Sequence, residues 1–90
     1  MPDNEEIKAI IVKSFTDLVE CLNSDYTIQK NVNVYGMSVD STDLLSLGLF
    51  KKGTLKTYIC VKNDSIEILY QRISKLVLKV VQEVTHDEVI

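Results

Sequence analysis

The segment LLSLGLFKKGTLKTYICVK, residues 44–62, decides the fold because it joins two apolar stretches through a short lysine–glycine turn. On both sides of the turn, apolar residues alternate with polar or small ones, which is the period of a β-strand. Gly53 supplies the left-handed backbone conformation that a tight turn needs. The segment therefore predicts an antiparallel β-hairpin.

The register of this hairpin follows from keeping its apolar residues on one face. A three-residue loop over 51–53 pairs Phe50 with Thr54 and Leu49 with Leu55. One face of the hairpin then carries the apolar side chains Leu45, Leu47, Leu49, Leu55, Ile59 and Val61. The other face carries the mainly polar or small residues Ser46, Gly48, Lys56, Tyr58 and Lys62.

Two alternatives compete with this interpretation. A two-residue loop at 52–53 would place Leu49 opposite Lys56 and mix the two faces, so we favour the three-residue loop. A short helix over 41–49, capped by Ser41, is the second alternative, because the spacing of apolar residues alone does not distinguish a strand from a helix in a short apolar run.

The stretch before the hairpin predicts another strand. Residues 26–34 alternate between polar side chains and an apolar set, interrupted only by Lys30, that consists of Tyr26, Ile28, Val32 and Val34. One apolar and one polar face are typical of an antiparallel sheet that is covered on one side. Residues 36–43 then form a connection with turn-forming residues.

A first helix is predicted over residues 3–23. Asp3 and Glu6 have the spacing of a capping box, and Asn4 is a rival cap. The apolar face comprises Ile7, Ile11, Phe15, Leu18 and Leu22, widened by Ile10, Val12, Val19 and Cys21.

A second helix is predicted from the capping box at 64–67 to about Val84, and residues 85–90 are expected to form a flexible tail. Its apolar positions step by three and four, and comprise Ile66, Tyr70, Ile73, Val77, Val80 and Val84. The sequence thus predicts a single α+β domain over 1–90 in the order α-β-β-β-α. Two amphipathic helices would pack on one face of a small antiparallel sheet.

Composition excludes several classes of protein. The 90 residues carry ten Lys or Arg against thirteen Asp or Glu, a net charge of −3, which argues against a generally basic nucleic-acid binder. No apolar run is long enough to cross a bilayer, and the start MPDNEE is acidic where a secretory signal is basic. We therefore expect a cytoplasmic protein, with Cys21 and Cys60 as buried thiols outside any disulfide.

The sequence offers little for catalysis. The single histidine, His86, falls in the predicted tail, where a rigid catalytic pair with a cysteine or serine is not held in place. Asp40 and Asp43 are explained by turn formation and lack the ligand count of a calcium loop. The three glycines are too scattered for a phosphate-binding loop. We predict that the protein is not an enzyme and has no cofactor, metal or small-molecule substrate.

The segment 39–45, VDSTDLL, resembles the aspartate–serine segment of acyl carrier proteins, in which the serine takes a phosphopantetheine arm. Those carriers typically have leucine after the serine, where this chain has Thr42, and they are all-helical. The strand predicted over 54–62 is incompatible with that fold, so we assign no family.

The charges are unevenly distributed along the chain. Residues 1–25 carry −4, residues 26–63 carry +3 and residues 64–90 carry −2. The basic part is the hairpin, with Lys51, Lys52, Lys56 and Lys62. This favours, as an alternative function, an anion-binding module that contacts nucleic-acid phosphate or an anionic membrane. Protection of a sheet edge by lysine explains the same pattern more simply.

Excess apolar residues give the stronger functional indication. Leu78 and Ile68 lie away from the predicted apolar face of the second helix, and Val81 lies at its margin. A second buried surface would account for these three residues. We therefore predict a non-enzymatic protein–protein interaction module, a small adaptor or subunit of a complex, bound to a protein partner or as a homodimer. Contact would be through the last helix or a sheet edge.

Overall fold

The structure is a computed structural model that describes residues 3–30, 44–62 and 65–88. The elements are α1 (Asn4–Leu22), β1 (Tyr26–Lys30), β2 (Leu44–Lys51), β3 (Thr54–Lys62) and α2 (Ile66–Glu88). The strands form one antiparallel sheet in the order β1-β2-β3. This confirms the predicted α+β class and the α-β-β-β-α order.

The core lies between the sheet and the two helices. Alternate residues of the strands, among them Ile28, Leu47 and Leu49, are buried against the apolar sides of both helices. The fully buried side chains are Val19, Tyr26, Leu47, Leu49, Val61, Leu69, Ile73 and Val80. Both helices therefore cover the same face of the sheet, as predicted.

The hairpin turn differs from the prediction. The loop has two residues, Lys52 and Gly53, both with positive φ angles (50° and 81°), the combination that suits the twist of a tight hairpin. The favoured three-residue loop was wrong. Lys51 pairs with Thr54, directly beside the turn.

A β-bulge explains how the rejected two-residue loop still keeps the apolar face together. Phe50 pairs with Leu55, but the next pair along is Leu49 with Thr57, so Lys56 is an extra residue on β3. Beyond the bulge the pairing places Leu47 beside Ile59. The predicted face is recovered except at Leu55, which shares the outer face with Phe50 and is 38% exposed.

The observed bounds of β2 decide, for the described residues, between the predicted strand and the alternative short helix. Residues 44–51 form β2, so the short helix over 41–49 is wrong for its described part. Residues 41–43 lie outside the described residues, as do the predicted connection over 36–43 and the extension of the first strand over 31–34.

Helix α1 begins as the sequence predicts. The side chain of Asp3 caps it by accepting a hydrogen bond from the backbone N–H of Glu6 over 2.9 Å. The buried side is rotated from the predicted one, because Lys8, Val12 and Val19 are its buried residues. Four residues of the predicted face are exposed instead: Ile10, Leu18, Cys21 and Leu22.

Helix α2 begins and ends differently from the prediction. Ser65 caps it, since its hydroxyl accepts a hydrogen bond from the backbone N–H of Ile68 over 3.3 Å, and Asp64 lies outside the described residues. The helix continues past Val84 to Glu88, so residues 85–88 are helical rather than a tail. Tyr70, predicted to lie in the core stripe, is 55% exposed.

Candidate functional site

The three predicted interface residues of α2 are all exposed. Leu78 is 57% exposed, and Ile68 and Val81 are also solvent-exposed beside the buried Leu69, Val77 and Val80. Helix α2 therefore buries one stripe in the core and presents further apolar side chains outside it. Whether these residues contact a partner stays a prediction.

Helical geometry separates the three residues into two groups. Successive residues are about 100° apart, so Leu78 and Val81 share a side of α2 with Tyr70 and Ser74. Ile68 lies beyond Leu78, roughly 160° around the axis from Tyr70 and about 140° from Val81. The structure thus adds Tyr70 to the surface of Leu78 and Val81, and it does not bring Ile68 to them.

Helix α1 contributes to the same surface. The rings of Phe15 and Tyr70 meet edge to face, with centroids 5.6 Å apart, which fixes the side on which α1 meets α2. Leu18 and Leu22 follow Phe15 by three and seven residues and so lie on the same side of α1. Both are exposed.

We call the exposed side chains flanking this ring contact the interhelical surface: Leu18, Leu22, Tyr70, Leu78 and Val81. The sequence did not predict that Leu18 and Leu22 belong to an exposed surface, because the buried side of α1 is rotated toward Lys8. The chain places a lysine in the core there, 4% exposed, with its amine 2.6 Å from the Glu5 carboxylate. Apolar periodicity assigns no lysine to a core position, so the pattern pointed to the neighbouring stripe.

The structure divides the four lysines of the predicted anion contact. Lys51 and Lys56 line a cleft at the turn end of the hairpin. Lys52 points to Asp25, with 3.8 Å between the amine and the carboxylate. Lys62 lies at the opposite end of β3. The four residues therefore do not form one basic surface.

The cleft has a volume of about 260 Å³ and is lined by Lys51, Lys56, Gln82, Glu83 and His86. Gln82 and Glu83 reach it from the predicted part of the helix, and His86 joins them because α2 continues past Val84. In the sequence, only the lysines indicated this site, because His86 was predicted to lie in a flexible tail.

Glu83 is the acidic group of the cleft. The Tyr26 hydroxyl donates a hydrogen bond to its carboxylate, and this bond lowers the pKa of Glu83 below its ordinary value of 4.5. Burial opposes the shift, while the charges of Lys56, Lys79 and Lys51 reinforce it. Glu83 is thus held as a carboxylate at neutral pH.

The cysteines differ from the prediction. Cys21 is exposed and Cys60 is half-buried, and no disulfide joins them. Cys21 is exposed because it lies near Leu18 on the side of α1 that the rotation of the helix turns away from the core.

Over residues 3–30, 44–62 and 65–88, no group of three or more His, Cys, Asp or Glu residues could hold a metal ion. Asp40, Ser41 and Asp43 lie outside these ranges.

The second contact surface predicted from the sequence is an edge of the sheet. Within the described sheet, β1 and β3 are the outer strands. Arg72 of α2 donates a hydrogen bond to the backbone carbonyl of Cys60 on β3, and the bulge at Lys56 interrupts the regular edge further along. Both features hinder the addition of another strand to β3.

Comparison with known proteins finds no matching family, and neither a curated protein nor a solved structure matches the chain. Among the described helices, none is both long and apolar enough to cross a membrane.

Proposed function

We propose that this chain is a non-enzymatic protein–protein interaction module, a subunit that binds a second copy of itself through the interhelical surface. The observation that carries the proposal is that five exposed apolar side chains lie on the sides of α1 and α2 marked by the Phe15–Tyr70 contact. Single exposed apolar residues are normal on protein surfaces, whereas several on one surface are typical of an interaction site.

The hydrophobic effect supplies the driving force. Moving a large aliphatic or aromatic side chain from full exposure to complete burial contributes about 1.5–3 kcal/mol. The five side chains are 37–57% exposed in the single chain, so each would gain about half of that. Leu78 already has its neighbours Val77 and Val80 in the core, so it is held on a rigid helix and loses little freedom on binding. A small domain gains relatively more from such burial because its own core is limited.

The apolar character of the surface favours a second copy as the occupant. A two-fold axis along the boundary between the helices would place α1 of one protomer over α2 of the other, so the interhelical surface would cover itself. Nearby charges lie on other sides of the helices: Asp17 pairs with Lys13, Glu20 accepts a hydrogen bond from Thr27, and Arg72 donates one to the Cys60 carbonyl. Apolar side chains would therefore meet apolar side chains without burying these charges.

Light scattering coupled to gel filtration tests the proposal with the whole chain. We expect a mass near twice 10.2 kDa at high micromolar concentration, falling toward the monomer on dilution. Leu78→Asp should be monomeric at the same concentration because it buries a charge in the interface.

Ile10→Asp is the matched control. Ile10 is 58% exposed on α1, as exposed as Leu78, but it lies on a different side of the helix from Leu18 and Leu22. This variant should remain dimeric. A wild-type chain that stays monomeric at high micromolar concentration, or equal loss of the dimer in both variants, contradicts the proposed interface.

A further inference from the structure

The cleft at the turn end of the hairpin joins residues that are far apart in sequence. Lys51 lies at the end of β2 and Lys56 near the start of β3, while Gln82, Glu83 and His86 come from the last turns of α2. Three of these residues can donate hydrogen bonds from amine or amide groups, and His86 can donate from its ring.

The backbone directs Lys56 into this cleft. Regular alternation would place Lys56 on the outer face of the sheet, with Tyr58. Because the bulge makes Lys56 the extra residue of β3, its side chain instead lines the cleft beside α2. Bulges commonly redirect a side chain in this way next to binding sites.

Lys51 is positioned by a different contact. Its amine lies 5.5 Å from the centre of the Tyr26 ring, a cation–π geometry that restrains the long side chain. Neither Lys51 nor Lys56 has a described carboxylate within 4 Å. Both amines thus keep most of their capacity for another anion.

Glu83 offsets only part of the positive charge at the cleft. Its carboxylate accepts the hydrogen bond from Tyr26, and one oxygen lies 3.9 Å from the amine of Lys79. Lys56 and Lys51 also attract this carboxylate, but its one negative charge faces three lysines, so positive charge remains in excess. Among the described side chains that line the cleft, Glu83 is the acidic one.

We propose that this cleft binds a small phosphate-type oxyanion, a free phosphate or the phosphate group of a small metabolite, held by Lys51 and Lys56. Gln82 and His86 complete the set of donors. Two adjacent ammonium groups match the charge of a phosphate dianion, and charge-assisted hydrogen bonds are the strong ones in such sites. The inference is independent of the proposed dimer.

Titration of the ¹⁵N-labelled chain with inorganic phosphate, at low and constant ionic strength, tests the proposal. We expect saturable amide shifts at Lys51, Lys56, Gln82 and His86. Lys51→Gln combined with Lys56→Gln should weaken binding by at least roughly ten-fold, since the loss of even one charged hydrogen bond costs about that factor. Phosphate that causes no saturable shift overturns the proposal.

Two variants separate the cleft from general attraction of anions. Lys62→Gln removes one positive charge from the far end of β3 and should leave phosphate binding within about two-fold. Glu83→Gln keeps an acceptor for Tyr26 but removes the negative charge, so phosphate should bind several-fold more tightly. Equal weakening by Lys62→Gln, or no gain with Glu83→Gln, overturns the site.

A small phosphomonoester and a single-stranded oligonucleotide serve as further probes. Glycerol phosphate should bind with the same residues as inorganic phosphate, because the site recognises the phosphate group. An oligonucleotide that binds much more tightly than both, and is weakened by Lys62→Gln, would show that an extended basic surface acts instead. That outcome would overturn the small-ligand proposal.

Discussion

The hairpin turn depends on the backbone conformation of two residues. Lys52 and Gly53 have φ angles of 50° and 81°, in the left-handed region. Glycine adopts this region without strain, whereas a residue with a Cβ atom is destabilised there by roughly 1–2 kcal/mol. Lys52 therefore carries strain that the rest of the hairpin tolerates.

Gly53→Ala should lower the free energy of unfolding by about 1–2 kcal/mol. Apart from its two chain neighbours, no described residue comes within 4 Å of the position that a Cβ would take at Gly53, so the effect would come from the backbone and not from a clash. Urea denaturation followed by circular dichroism measures it. Lys52→Asn is the control and should not destabilise the chain, because asparagine tolerates this conformation better than lysine. Equal stability of Gly53→Ala and the wild type would contradict the assignment of the turn.

At the scale of an element, helix α1 depends on its cap. The Asp3 carboxylate accepts the N–H of Glu6 at a helix end where backbone donors lack partners within the helix. The adjacent Asn4 is already the first helical residue. The two residues have similar capping chemistry, so their different positions give a direct test.

Asp3→Ala should destabilise the chain by about 1 kcal/mol, because it removes the capping acceptor. Asn4→Ala should be neutral or slightly stabilising, since alanine favours the helix interior more than asparagine does. Thermal and urea unfolding of both variants measure this difference. A larger loss for Asn4→Ala would mean that Asn4 is the cap.

At the scale of the whole molecule, Tyr26 and Glu83 connect the first strand to the last helix across 57 positions of the sequence. The hydrogen bond from Tyr26, with support from Lys56, Lys79 and Lys51, lowers the pKa of Glu83 from 4.5 in the folded state. As the pH falls, the unfolded chain takes up this proton first. The stabilisation is therefore complete above about pH 4.5 and is lost as the pH falls through the lowered value.

Glu83→Gln should reduce the free energy of unfolding by about 1 kcal/mol at pH 7, because a charged acceptor is replaced by a neutral one. The difference from the wild type should shrink as the pH is lowered below 4.5. Urea unfolding at several pH values measures it. Tyr26→Phe should remove the same pH-dependent part, so the double variant should lose less than the sum of the two. A difference that stays constant with pH would contradict this linkage.

The sequence by itself determined the element order, the hairpin and the cap at Asp3, because each has a local cause. Alternation of apolar residues defines strands, and capping depends on residues three positions apart. The exposure of Ile68, Leu78 and Val81 also followed from helical periodicity, since one helix cannot bury its whole circumference. These features need no knowledge of which elements meet.

Only the tertiary structure decided which side of α1 is buried, where the bulge lies and which side chains meet in the cleft. The rotation of α1 around Lys8 depends on packing against α2, and the position of Lys56 depends on the pairing between two strands. The contact of Tyr26 with Glu83 joins residues that share no local pattern. Such features arise from competition among long-range contacts, whose energies are not set by neighbours in the sequence.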